Sequence, residues 1–99
     1  MGSIELRSAV LLAMQSSLLG MITPNMRAIT CGYDESDISI KFVFDNTPDA
    51  DENELCEDVL TEMLSHFDSH KISLEVISIP IPENIKGELL DNWIYMRRE

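Results

Sequence analysis

Residues 34–45 read DESDISIKFVFD, and the fold can be worked out from this segment. After a polar turn, apolar side chains occupy every second position, which is the period of a strand with one buried face. The segment before the turn, from Met26 to Tyr33, places Ile29, Cys31 and Tyr33 on one face in the same way. The two segments therefore predict a β-hairpin. The buried face of its second strand is expected to carry Ile38, Ile40, Phe42 and Phe44.

Two helices and two further strands are predicted around this hairpin. The first helix, from Ser3 to about Leu19, is apolar enough to predict burial along much of its surface. The second follows Asn46-Thr47-Pro48, and Asp51 with Glu54 has the spacing of a capping pair at its start. The remaining strands are predicted at about Ile72–Ile79 and at Trp93–Arg97.

The order helix, strand, strand, helix, strand, strand determines the expected fold class. Two amphipathic helices bury their apolar stripes most simply on one face of a sheet. We therefore expect an α+β two-layer sandwich, with a largely antiparallel four-stranded sheet and both helices on one face. A chain of 99 residues is long enough for one core and too short for two, so we expect a single domain over residues 1–99. The other sheet face, with Val43, Glu75 and Ile77, is too mixed to indicate whether it docks.

The net charge of −11 is concentrated in one part of the chain. Residues 34–68 contain twelve acidic residues and a single base, Lys41, whereas the rest contains six acidic and six basic residues. A field of this sign repels nucleic acid and anionic lipid and attracts basic surfaces. We therefore expect a basic protein partner, and no nucleic-acid or membrane partner.

The candidate partner-binding residues are the carboxylates of this segment, and they fall into three groups. A turn cluster belongs to the hairpin, a loop cluster follows its second strand, and a helix group lies on the polar side of the second helix. A hairpin turn lies at the opposite end from the outer strand termini, so the first two groups are not expected to form one surface. We favour the loop cluster, because it continues into the helix group. An acidic surface that serves only solubility is the alternative, although interspersed lysines would serve that purpose with less repulsion. The three groups are Asp34, Glu35 and Asp37; Asp45, Asp49, Asp51 and Glu52; and Glu54, Glu57, Asp58 and Glu62.

Few residues in the sequence suggest a catalytic or metal-binding site. His66 and His70 are four apart, a metal-ligand spacing on a helix, but histidines near a helix C-terminus are also explained by the helix dipole. Cys31 and Cys56 are expected to be small buried side chains, and two cysteines do not form a disulfide framework. No acidic residue is marked as catalytic by a neighbouring nucleophile or base. We expect no catalytic, metal or cofactor site, and a cytoplasmic protein.

Four stretches together resemble a family of small bacterial proteins. They are Pro24–Thr30, the strand end Phe42–Asp45, the acidic start of the second helix and the closing Trp93–Arg97. That family includes the immunity proteins of contact-dependent growth inhibition systems. The resemblance implies a cytoplasmic inhibitor of a toxin domain, often a nuclease, that is delivered by a sibling cell.

We therefore predict an immunity protein that masks the substrate-binding surface of a basic toxin domain with its acidic face. An alternative is a structural or regulatory interaction subunit that docks by its sheet edge or sheet face, including as a homodimer, without a toxin partner. A second alternative is a small metal-dependent enzyme that uses His66 and His70. Tyr33, Trp93 and Tyr95 belong to residue types common at interfaces, but aromatic residues in strands are more often part of the core.

Overall fold

A computed structural model describes the backbone from Ser3 to Glu99 and the side chains from Glu5 onward. Within this range the predicted order is confirmed. The first helix ends two residues before the predicted end, and the fourth strand begins and ends one residue early. A short 3-10 turn at Lys86–Glu88 precedes that strand. The elements are α1 (Ser3–Ser17), β1 (Met26–Tyr33), β2 (Asp37–Phe44), α2 (Ala50–His66), β3 (Lys71–Ser78) and β4 (Asn92–Met96).

The described strands form one mixed sheet in the order β3-β2-β1-β4. The strand β1 is antiparallel to both β2 and β4, as predicted. The pair β2 and β3 is parallel, with Asp37 opposite Lys71 and Phe44 opposite Ser78. Because α2 lies between these two strands in the chain, it carries the chain back to the end of the sheet where β2 began. The prediction of a largely antiparallel sheet did not include this parallel pair.

The main core lies between the sheet and the two helices, which share one sheet face as predicted. The helices contribute Val10 and Met14 from α1 and Val59 and Met63 from α2, all fully buried. The rings of Phe42 and Phe44 stack with their centroids 6.3 Å apart. Met26 of β1 also belongs to this core, together with the sheet residues predicted from alternation, namely Ile29, Cys31, Ile38, Ile40, Phe42 and Phe44.

The capping pair at the start of α2 lies two residues earlier in the chain than we predicted. Asp49 is the N-cap, and its carboxylate accepts the backbone N–H of Glu52 at 2.8 Å. The Glu52 carboxylate in turn accepts the backbone N–H of Asp49 at 3.2 Å, which completes a capping box. Asp51 and Glu54 have the same spacing, so spacing alone could not separate the two candidates. Glu52 also has partners outside the helix, whereas Glu54 has none among the described side chains. These further contacts of Glu52 favour Asp49 and Glu52 as the capping pair.

The opposite sheet face is covered by the chain between β3 and β4, which crosses from one sheet edge to the other. Ile85 of this connection packs against Ala28 and Val43, and the three are buried together. Lys41 also lies on this face, with only 10% of its side chain exposed, and donates to Glu88 at 2.8 Å. The mixed surface that we expected around Val43 is therefore largely occupied by the chain itself.

Candidate partner-binding face

The outer side of α2 is a row of carboxylates. Its inner side is fixed by the buried residues Cys56, Val59 and Met63. Positions three or four apart on a helix share a face, so these three residues define the side that packs on the sheet. The exposed acidic residues lie on the rest of the helix surface. The exposed acidic residues of the helix are Asp51, Glu54, Glu57, Asp58 and Glu62.

These carboxylates are almost free of internal partners. Among the described side chains, those of Asp51, Glu54, Glu57 and Asp58 make no hydrogen bond or ion pair, and Glu62 lies 3.8 Å from the Nε2 atom of His66. The single base of residues 34–68 is Lys41, which is on the other side of the sheet. The outer side of α2 therefore presents negative charge that nothing on the same helix face offsets.

The loop cluster is different, because three of its four carboxylates hold the fold together. Asp45 accepts the backbone N–H of Ile81 at 3.0 Å and pairs with Arg97 at 3.3 Å. Asp49 and Glu52 form the capping box. The carboxylate of Glu52 also accepts from the Thr23 hydroxyl at 2.7 Å and from the Asn25 amide at 3.2 Å. In this cluster only Asp51 is free to meet a partner without losing such a contact.

The turn cluster is partly structural as well. One oxygen of Asp34 accepts the backbone N–H groups of Ser36 and Asp37 at 2.9 and 2.8 Å. These two hydrogen bonds lower the pKa of Asp34 below its ordinary value. Asp37 accepts from the Ser36 hydroxyl at 3.0 Å, whereas Glu35 is exposed and has no such partner among the described residues.

The structure separates the turn and loop clusters, as predicted, and joins them through α2. The loop cluster lies at the start of this helix, and the turn cluster lies beyond its end, where Lys71 donates its backbone N–H to Ser36 at 2.9 Å. A helix of 17 residues is about 25 Å long. The outer carboxylates of α2 therefore extend from the loop cluster towards the end of the sheet that carries the turn cluster.

The residues that carry the family resemblance lie mainly in the framework. The side chain of Asn25 accepts the backbone N–H of Asn46 at 2.8 Å and donates to its carbonyl at 2.9 Å. Arg27 is buried, and its guanidinium makes two 2.7 Å hydrogen bonds to the carboxylate of Glu99. These contacts tie β1 to the loop before α2 and to the end of the chain.

The cysteines are buried, as expected. Burial raises the pKa of Cys31 to about 11 and that of Cys56 to about 12, so neither thiol is activated.

The suggested histidine pair does not form on a helix. The helix α2 ends at His66, and His70 lies beyond it, with its ring edge-on to Phe67 at 5.5 Å. Within the described residues, no three His, Cys, Asp or Glu side chains are grouped so that they could hold a metal ion.

Sequence reasoning missed the outer side of α1. We expected that helix to be buried along much of its surface, but Leu12 is 66% exposed, and Leu19, just after the helix, is 79% exposed. Hydrophobicity alone did not distinguish the exposed leucines from the buried ones. The feature that could have drawn attention to this surface is that residues 8–26 contain no charged residue. Trp93 is also exposed, while Tyr33 and Tyr95 pack against the main core.

Comparisons with known proteins point to one family. No helix in residues 3–99 is long and apolar enough to cross a membrane. A search of curated proteins finds none that matches the chain. A family model described as the MafI2 immunity protein matches residues 7–99. This match confirms the resemblance predicted from the sequence, and the chain belongs to the MafI2 immunity protein family.

Proposed function

We propose that this protein binds and neutralises a basic toxin domain by placing the outer face of α2 over the surface that binds the toxin's substrate. The observation that carries this proposal is the row of exposed carboxylates on α2, which make almost no hydrogen bonds or ion pairs with the described side chains. They are Asp51, Glu54, Glu57, Asp58 and Glu62. Membership of an immunity protein family supports a toxin as the partner. Inhibition by occupancy needs no catalytic group on the inhibitor.

A nuclease is the toxin class that we infer from the charge. An enzyme that holds a phosphate backbone presents lysine and arginine around its active site. A row of carboxylates about 17 Å long, from Asp51 to Glu62 of α2, offers those cations the charge that they would meet on nucleic acid. Opposite fields also speed encounter, which suits an inhibitor that must act before its target does damage.

The site of action in this proposal is the cytoplasm of the cell that makes the protein. We infer that the toxin domain arrives there from a neighbouring cell through a contact-dependent growth inhibition system. The domain encoded at the end of the adjacent upstream reading frame is the partner to test. A small basic domain at that position is expected, and its enzymatic activity on DNA and RNA is measured with and without this protein.

The role of α2 is tested by charge reversal. The variant Glu54→Lys/Asp58→Lys is expected to slow association with the upstream-encoded domain and to weaken inhibition. Reversal at Asp49 or Glu52 is a poorer test, because it also breaks the capping box. A matched control is Glu83→Lys/Asp91→Lys, which changes the net charge equally at exposed positions of the connection on the other side of the sheet.

The salt dependence of binding provides the decisive readout. Affinity is expected to fall steeply between about 50 and about 200 mM salt, and the α2 reversal is expected to reduce the association rate more than the control does. Binding that does not change with salt, or equal effects of the two double variants, would contradict masking by the α2 face.

A further inference from the structure

Leu12, Leu19 and Ile22 form an exposed apolar surface on the outer side of α1 and on the segment after it. Leu12 points away from the sheet, because its position on the helix is opposite to the buried Val10 and Met14. Leu19 and Ile22, in the segment after the helix, are 79% and 40% exposed. Between Arg7 and Arg27 the chain has no charged residue, and the nearest charge on the same face of α1 as Leu12 is the exposed Glu5, about two turns away.

This apolar surface adjoins the acidic face of α2. Both helices pack on the same face of the sheet and contribute to one core, so their outer sides face the same way. The segment that follows α1 reaches the start of α2, where the Thr23 hydroxyl donates to Glu52 at 2.7 Å. Ile22 immediately precedes Thr23. The two helices therefore run in opposite directions on the same face of the sheet, and Ile22 lies close to the start of the acidic helix.

We infer that the outer side of α1 is the apolar half of the toxin-binding surface, with Leu12, Leu19 and Ile22 as its contact residues. This inference rests on the proposed function and adds the chemistry of the partner. The toxin domain would carry an apolar patch beside its cluster of lysines and arginines. Interfaces commonly combine such an apolar centre with a charged rim.

Charge favours this occupant over a second copy of the chain. Two copies that met through α1 would also bring two rows of α2 carboxylates close together, and like charges oppose that contact. A basic partner is instead attracted by the same carboxylates, so its contact with α1 is favoured. An apolar strip beside an acidic row therefore fits a partner of opposite charge.

The two halves of the surface make separable contributions to binding. Apolar contacts respond little to salt, whereas contacts between exposed charges are screened. Loss of an apolar contact residue mainly raises the dissociation rate, and loss of a rim charge mainly lowers the association rate. Each half can therefore be removed and recognised by its own kinetic effect.

The experiment measures binding of the upstream-encoded domain to Leu12→Ser and Leu19→Ser at several salt concentrations. We expect each variant to bind about ten-fold more weakly or worse through faster dissociation, with the slope of log affinity against log salt unchanged. The variant Glu54→Gln/Asp58→Asn is expected to reduce that slope. Because Leu12 and Leu19 are exposed, thermal unfolding of their variants should match that of the parent protein.

The matched control is Trp93→Ser. Trp93 is 62% exposed on the edge strand β4, and it pairs with Thr30, whose side chain faces away from the helices. Binding of this variant should equal that of the parent. If Trp93→Ser weakens binding and Leu12→Ser does not, the partner docks at the sheet edge and the inference is wrong.

Other outcomes separate this inference from the function on which it rests. Unchanged affinity of both leucine variants, with binding that still falls with salt, overturns the inference and leaves the proposed function standing. Binding by the parent protein that is insensitive to salt overturns the proposed function itself. A dimer of the isolated protein at micromolar concentration that Leu12→Ser converts to monomer shows that a second copy occupies α1, and also overturns the inference.

Discussion

Two substitutions that remove the same charge from α2 are expected to change the free energy of unfolding in opposite directions. Asp49→Ala removes the N-cap, and Asp58→Ala removes a carboxylate from the outer face. Both residues are exposed, and each variant changes the net charge by the same amount. Any difference between the variants therefore comes from the place of each residue in the helix and from what its carboxylate contacts.

The expected magnitudes follow from those contacts. Asp49 accepts the Glu52 N–H at 2.8 Å, and loss of such a cap costs about 1 kcal/mol, within a range of about 0.5–2. Asp58 lies four residues from both Glu54 and Glu62, and each like-charge pair at this spacing destabilises a helix by about 0.2–0.5 kcal/mol. Alanine is also the better helix former at that position. Asp58→Ala should therefore stabilise the protein by about 1 kcal/mol, from these two effects together.

Chemical denaturation of the parent and both variants, monitored by circular dichroism, measures these free energies. In thermal unfolding, each kcal/mol should appear as a shift of about 4–8 °C in Tm. The gain from Asp58→Ala should shrink at high salt, because screening already weakens the repulsion between exposed charges. A loss of stability in Asp58→Ala comparable to that in Asp49→Ala would mean that Asp58 has a structural role, contrary to this prediction.

Two further predictions concern groups whose pKa is shifted. Hydrogen bonds from Arg27 hold the pKa of Glu99 below its ordinary value of 4.5, so its contribution to stability is complete above that pH and is lost as the pH falls through the lower folded value. Glu99→Gln should therefore lower stability at neutral pH and flatten its decline in acid, as measured by urea unfolding at several pH values, and an unchanged acid limb would contradict this. The buried thiols of Cys31 and Cys56, with pKa values raised to about 11 and about 12, should react with a disulfide reagent such as DTNB only after the protein unfolds. Rapid reaction of the native protein at neutral pH would show that one of them is accessible.

Most of the fold could be predicted from local patterns in the sequence. Alternation placed Ile38, Ile40, Phe42 and Phe44 on the buried face of β2, where the structure has them. The parallel pairing of β2 with β3 was missed because it depends on where α2 returns the chain. That choice is made by packing between elements that are distant in sequence, which a reading of one strand at a time does not detect.

The candidate site was harder to predict, because a carboxylate with a structural role and one that is free look alike in a sequence. Asp45, Asp49 and Glu52 belong to an acidic stretch that we favoured for partner binding, yet their oxygens accept hydrogen bonds from Ile81, Glu52 and Thr23. These partners lie from 3 to 36 residues away in the chain. Only the structure separates these three residues from Asp51, Glu54 and Asp58, which have no such contacts among the described side chains.

The cost of the free carboxylates bears on how the proposed complex would form. Glu54, Asp58 and Glu62 repel one another along one helix face, and the isolated protein carries that repulsion. A basic partner on the same face replaces repulsion with attraction, so the bound protein should be more stable than the free one by more than apolar contacts alone provide. The capping box and the ion pair between the buried Arg27 and Glu99 keep the framework of the helix in place, while the carboxylates on the outer face of α2 have almost no partners among the described side chains. An acidic face of this kind is therefore poorly suited to an isolated protein and well suited to one that works in a complex.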